Sequence, residues 1–174
     1  MSSQKPLPSG PHKPELLAAL DGLFAFIGDD PLDAKLEAKL NDRYGAHTHG
    51  FTELQRLLRL GIEEGWACYD EIDGPNYCRG RLVDSTAGVH QFAVESARLR
   101  DVRGNYHRHP LGEINMIQPI DPEGAFCGSG AGWKVFAPDT SHYPTVTGGT
   151  VTFIFLLPKG QIEYRQKPDP GAGQ

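Results

Sequence analysis

GNYHRHPLGEIN, residues 104–115, sets His107 and His109 one residue apart and Glu113 four positions beyond the second, across a Pro-Leu-Gly turn. On an extended strand the side chains at i and i+2 leave the same face, so the two imidazoles point together. The turn then reverses the chain and returns Glu113 beside them at the start of the next strand. Two imidazoles and a carboxylate on the inner face of adjacent strands can fill three positions around one divalent ion. A fourth donor has to come from a neighbouring strand, and His142, in GWKVFAPDTSH (132–142), is the best placed. The competing reading is a solvated hairpin, because an isolated His-x-His is a weak signal.

Around this stretch the chain reads as β. WACYDEI, YCRGRLV, HQFAVESARLRDV, EINMIQPI, GWKVFAP and TVTFIFLLP are strand-like, with Gly, Pro, Asp and Asn clustered between them, and GQIEYRQK could add one more. His90 would open the third of these strands. Strand runs without intervening helices predict an antiparallel barrel or sandwich.

Upstream the period changes. Leu16, Leu17, Leu20, Leu23, Phe24 and Ile27 recur at helical steps after Pro14; Leu32, Leu36, Leu40 and Tyr44 lie four apart. A third stripe holds Phe51, Leu54, Leu57, Leu58 and Ile62, capped by Thr48 or Thr52. The predicted architecture is α+β. A flexible tail and helical region (1–64) packs on a small antiparallel β-barrel (65–168), followed by a loose tail (169–174).

Bulk properties narrow the function. The chain has 174 residues and a net charge of −5, with no Lys/Arg run, which argues against nucleic acid as a partner. Cys68, Cys78 and Cys127 are an odd number without a Cys-x-x-Cys pair, so neither a disulfide framework nor a thiolate zinc site is indicated. No segment is apolar enough for a signal peptide or a membrane span, and a cytoplasmic setting is expected. A second His-x-His, His47 and His49, falls between predicted helices and reads as a polar loop.

Two resemblances follow from these residues. GNYHRHPLGEINMIQPIDPEG resembles the first cupin motif, with Gly104, His107, His109, Glu113 and Gly124 in its positions, and GWKVFAPDTSH resembles the second, with Gly132, Pro138 and His142. The chain departs from that pattern at Thr140, where Gly is common, and the Pro-to-His step is one residue short. The resemblance implies a cupin-like barrel in which His107, His109, Glu113 and His142 bind one divalent transition-metal ion (iron, manganese, zinc, nickel or copper). The combined run YHRHPLGEINMIQPID, FCGSGAGWKVFAP, HYPTVTGG and FLLPKGQIEYR is similar to the 4-hydroxylaminobenzoate lyase family. That similarity implies conversion of 4-hydroxylaminobenzoate and water to 3,4-dihydroxybenzoate and ammonia in nitrobenzoate degradation.

Such a reaction is redox-neutral overall and needs no nicotinamide or flavin. A Lewis-acidic ion would assist both N–O cleavage and hydroxylation of the adjacent ring carbon. Glu113 is the expected acid or base, or else a ligand, with Tyr106 a further catalytic candidate beside His107. Strand alternation, however, points Tyr106 and Tyr143 away from the ligand face. The small aromatic carboxylate substrate wants a guanidinium fork. The sequence leaves Arg79, Arg81, Arg98, Arg100, Arg103, Arg108 and Arg165 all open for that role, so the substrate-binding residues stay unknown. A homodimer is compatible with such barrels. The rival readings are a metal-dependent dioxygenase of a small aromatic acid and a non-enzymatic small-molecule-binding cupin.

Overall fold

Helices form where the leucine spacing predicts them. In the computed structural model, which describes residues 5–85 and 91–165, α1 (Lys13–Ile27) carries Pro14 in its first turn and buries Leu16, Leu20, Leu23, Phe24 and Ile27. Leu17 departs from the expected stripe and is 37% exposed, because one residue turns the helix by about 100° away from Leu16. Helix α2 (Ala34–Tyr44) starts at Asp33, whose carboxylate accepts the Leu36 N–H at 3.0 Å. Helix α3 (His49–Glu64) starts at Thr48, the hydroxyl of which accepts the Phe51 N–H at 3.3 Å. That choice settles the cap between the two threonines. His47 and His49 are exposed at this junction.

The remaining elements are β1 (Asp70–Glu71), β2 (Tyr77–Val83), β3 (Phe92–Arg100), β4 (His107–His109), β5 (Glu113–Pro119), β6 (Ala125–Phe126), β7 (Gly132–Phe136), β8 (Thr140–His142), β9 (Val146–Thr147), β10 (Thr150–Pro158) and β11 (Glu163–Tyr164). A six-stranded antiparallel sheet has the order β1-β2-β3-β10-β5-β7, beside a three-stranded sheet β11-β4-β8 and a pair β6-β9. The large sheet is apolar on both faces. Val94, Ile114, Met116, Trp133, Ile154 and Leu156 pack in one cluster with the leucines of the helices. Ala93, Ala97, Leu99, Ile117, Val151, Phe153, Phe155 and Leu157 form a second cluster with Phe126 and Val146. This double burial explains why EINMIQP and TVTFIFLLP are nearly continuous apolar runs rather than alternating ones.

The expectation of a single closed barrel is corrected here. Among the described residues the strands form three separate hydrogen-bonded sheets. The break falls at the Pro-Leu-Gly turn: Gly112 takes φ +87° and donates its N–H to the His109 carbonyl at 3.3 Å. A Cβ at that position would stand 2.6 Å from the Phe136 carbonyl oxygen, so the tight passage requires glycine. The chain thereby leaves β4 in the small sheet and enters β5 in the large one. Strands of two and three residues lie against the inner face and are too short to complete the ring. GQIEYRQK contributes only β11, and His90 and residues 169–174 lie outside the described residues.

The two edges of the large sheet differ. At β7, Asn41 of α2 imitates a partner strand: its amide donates to the Trp133 carbonyl at 2.9 Å, and its oxygen accepts the Trp133 N–H at 2.9 Å. Glu37 accepts the Val135 N–H at 2.9 Å. At the other edge, β1 is two exposed acidic residues. No helix among the described residues is long and apolar enough to cross a membrane.

Replacing Asn41 with Ala strips the Trp133 peptide of both partners. A loss of about 1–3 kcal/mol in chemical-denaturant unfolding is expected, the cost of an unsatisfied buried polar group. Asn41→Asp, which keeps the acceptor only, should fall between Ala and the native residue.

Candidate metal centre

The ladder between β4 and β8 sets the geometry. His107 pairs directly with His142, and Arg108 with Ser141. The period of two then sends His107 and His109 to one face and Arg108 to the other. Arg108 clamps Asp139 and, at 2.8 Å, Glu163 on the outer side. The turn before His142 forms without glycine: Asp139, at φ +68°, takes the left-handed conformation that Asp tolerates, and donates its N–H to the His109 carbonyl at 2.8 Å. Thr140 therefore needs no special conformation.

Three ring nitrogens converge. The Nε2 atoms of His107 and His109 are 2.9 Å apart, those of His109 and His142 3.0 Å, and those of His142 and His107 3.0 Å. His107 Nδ1 lies 3.0 Å from the Asn105 carbonyl and must donate to it, which leaves its Nε2 a bare lone pair facing the centre. His142 Nδ1 faces the Cys127 sulfur at 3.8 Å. His109 Nδ1 is buried with no hydrogen-bond partner among the described residues. Each neutral imidazole owns one N–H, so three mutually close Nε2 atoms cannot all be satisfied by one another. A cation at their centre satisfies all three.

The spacing is a second test. Nitrogens held about 2.1 Å from one ion stand roughly 3.0 Å apart at right angles and roughly 3.4 Å apart at tetrahedral angles. The observed triangle, with sides of 2.9, 3.0 and 3.0 Å, is nearer the right-angle spacing, so the three nitrogens fit a single ion.

Burial enforces the neutral, metal-ready form. Loss of solvent pushes His107 and His142 down to about 4 and His109 to about 3. Phe136 packs against the His142 ring with centroids 4.3 Å apart and against the His109 ring at 6.0 Å, so an apolar surface flanks both imidazoles.

The expected fourth ligand stands slightly apart. Glu113 Oε1 is 3.6 Å from His109 Nε2, while the group of donor atoms within 4.8 Å of one another consists of the three histidines. Glu113 is 4% exposed, and desolvation pushes its carboxyl up to about 8. Tyr106 is not brought to the cluster. It meets the Tyr143 ring at a tilt of 52°, centroids 4.8 Å apart, and lines an outer groove with Arg103, Tyr164 and Arg165. Alternation along the strand separates it from its neighbour His107. Cys68 and Cys78 are buried and Cys127 is half-buried, all three free. Burial pushes the Cys68 thiol up to about 12 and raises that of Cys127, which makes neither a nucleophile.

A cavity adjoins the centre, between the inner face of the large sheet and the small sheets. His107, Glu113, Asn115, Phe126, Phe153 and Phe155 line it together with Arg79. Arg79 lines the cavity and is one of the seven arginines that the sequence left open. Its signal was present only as register: it shares the Tyr77 face of β2, which alternates with the face of Cys78.

The sequence comparisons agree with one another. Residues 18–164 match the family model described as PnbB: 4-hydroxylaminobenzoate lyase. A 4-hydroxylaminobenzoate lyase of Pseudomonas putida is 35% identical over 165 residues, 86% of this chain and 94% of that protein. One from Nocardioides sp. (strain LMS-CY) is 36% identical over 140 residues, 76% of this chain and 83% of that protein. Among solved structures, a cupin-like protein from Thermotoga maritima overlaps 58% of this chain and 92% of its own, with 16% identity and a TM-score of 0.35. The DMSP lyase DddQ from Ruegeria pomeroyi DSS-3 overlaps 94% and 95%, with 14% identity and a TM-score of 0.39. Overlaps this loose carry no chemistry across.

The titrations have opposite signs in metal-free protein. The imidazole values are depressed from 6.5, so their stability contribution is full above pH 6.5 and drains as pH falls towards 3–4. The Glu113 value is raised from 4.5 to about 8, so its contribution is full below pH 4.5 and is lost as pH rises through 8. Melting temperature against pH should therefore fall on both sides. Glu113→Gln should flatten the alkaline side and leave the acid side in place.

Proposed function

The chain belongs to the 4-hydroxylaminobenzoate lyase family, and we propose that the cavity beside His107, His109 and His142 is where it converts 4-hydroxylaminobenzoate and water to 3,4-dihydroxybenzoate and ammonia. The observation that carries this reading is the convergence of three imidazoles, two buried and one half-buried, beside an aromatic-walled cavity. A metal-assisted, cupin-like centre accounts for it. The three Nε2 atoms would hold one divalent transition-metal ion, and bound there it would supply Lewis acidity to the hydroxylamine oxygen or to a water.

The protein's own groups account for the rest. Phe126, Phe153 and Phe155 offer apolar surface to the benzoate ring and exclude bulk water from the reacting atoms. Glu113, beside His109, is placed to give a proton to the departing hydroxylamine oxygen and to take one from the water that adds to the ring. Addition at the carbon next to nitrogen, with loss of the N–O bond, leaves a ring imine. Hydrolysis of that imine releases ammonia, and loss of the ring proton restores aromaticity. Atoms and electrons balance without an external oxidant.

Anaerobic incubation of the purified protein with 4-hydroxylaminobenzoate should yield ammonia and 3,4-dihydroxybenzoate in equal amounts. Oxygen dependence would instead indicate a ring dioxygenase. His142→Ala should lose both bound metal, measured by elemental analysis, and turnover. Glu113→Gln should keep its metal and lose about 10²–10⁴-fold in kcat, the range for a proton-transfer group. Full turnover after exhaustive chelation would remove the metal from this scheme.

A further inference from the structure

A para-substituted benzoate has its two functional groups at opposite ends of the ring, so a site that presents the hydroxylamine to the histidines must also receive a carboxylate. A carboxylate leaving water for a largely apolar slot needs a paired cation. The arginines sort cleanly by position. Arg108 is tied to Asp139 and Glu163 on the outer side of the small sheet. Arg103 lies over the Tyr143 ring at 4.5 Å, in the outer groove that Arg165 also lines. Arg98 faces α3 on the helical side of the sheet, and Arg100 is exposed. Arg81 pairs with Glu95 and Asp84 and does not line the cavity. Arg79 does line it, with a side chain only 19% exposed.

Resting on the lyase reading above, we infer that Arg79 binds the substrate carboxylate and sets the ring's direction across the cavity. The donor inventory supports this. A guanidinium has five N–H groups. One goes to Glu95 Oε2 at 3.0 Å, one to the Tyr164 hydroxyl at 2.8 Å and one to the Tyr77 hydroxyl in the cavity wall, which leaves two for a ligand. Glu95 does not depend on Arg79 for neutralisation: Arg81 Nε and Nη2 both donate to Glu95 Oε1, at 3.0 and 2.9 Å. The Arg79 fork is therefore free to engage a ligand without stranding a buried carboxylate. Tyr164, in the outer groove, accepts from Arg79, and its ring stands 5.7 Å from the His107 ring, edge to face, so one side chain links the guanidinium to the strand that carries the imidazoles. The Arg79 guanidinium also lies over the Phe155 ring, 5.4 Å from its centroid, in the wall of the cavity.

The test pairs two ligands that differ only in the carboxylate, 3,4-dihydroxybenzoate and catechol, measured by titration calorimetry on metal-loaded protein. Wild type should bind the acid more tightly. Arg79→Gln should weaken the acid roughly 30-fold or more, the cost of truncating one partner of a buried charge pair, and change catechol by less than about threefold. KM for 4-hydroxylaminobenzoate should rise in parallel while kcat changes little. If Arg79→Gln unfolds, the double variant Arg79→Gln/Glu95→Gln removes the buried countercharge, and Arg79→Lys keeps the charge without the fork. Equal weakening of both ligands, or an unchanged KM in an active variant, overturns the assignment of Arg79 alone. Absence of turnover in wild type, with the acid still preferred over catechol in an Arg79-dependent way, overturns the reaction and keeps the carboxylate site.

Discussion

The central sheet has no solvent face, and this constraint organises the molecule. Burying one face of six strands needs a layer of helices; burying the other needs further strands. At roughly 25 cal/mol per Å² of apolar surface removed from water, neither face could stay bare in a chain of this size. The helices supply Leu16, Leu20, Leu23, Leu57 and Leu58 to one side. On the other side the cover is thin, only the short strands β4, β6, β8, β9 and β11. A thin cover leaves a gap, and the gap is the cavity.

The position of the imidazoles follows from the same thinness. A three-residue strand cannot bury its side chains by itself, so His107 and His109 are buried by what they face: Phe136, Phe126 and the inner wall of the large sheet. Deep burial keeps them neutral. Three converging ring nitrogens cannot satisfy one another, and this is the feature on which the proposed lyase site rests. The helical layer takes no part in this chemistry. It holds the wall against which the small sheets close.

Much of this was legible in the residues. The leucine periods located all three helices, since an amphipathic stripe depends on local spacing alone. His107, His109 and His142 were legible because i, i+2 geometry is local and one further histidine sat at strand distance. Glu113 was placed near the pair, although at the flank of the nitrogen triangle rather than within it. What failed was non-local. Ring closure depends on whether β4 continues its ladder into β5, and that is decided by the passage of Gly112 beneath Phe136. Arg79 could not be separated from six other arginines because its distinction is the register of β2 against β3, which pairs Arg79 with Ala97. Thr48 and Thr52 offered equal capping chemistry, and only the start of α3 chose between them.

The edges of the sheet bear on how the chain behaves in a crowded solution. A bare row of peptide groups invites another molecule to add on, and growth by such addition has no natural end. Asn41 and Glu37 occupy that row at β7 with side chains, as a fixed counterfeit of the missing neighbour. At the opposite margin, β1 presents two carboxylates over a length too short to seat a strand. Copies of this chain that meet edge to edge thus find one side of the large sheet already taken and the other lined with acidic side chains.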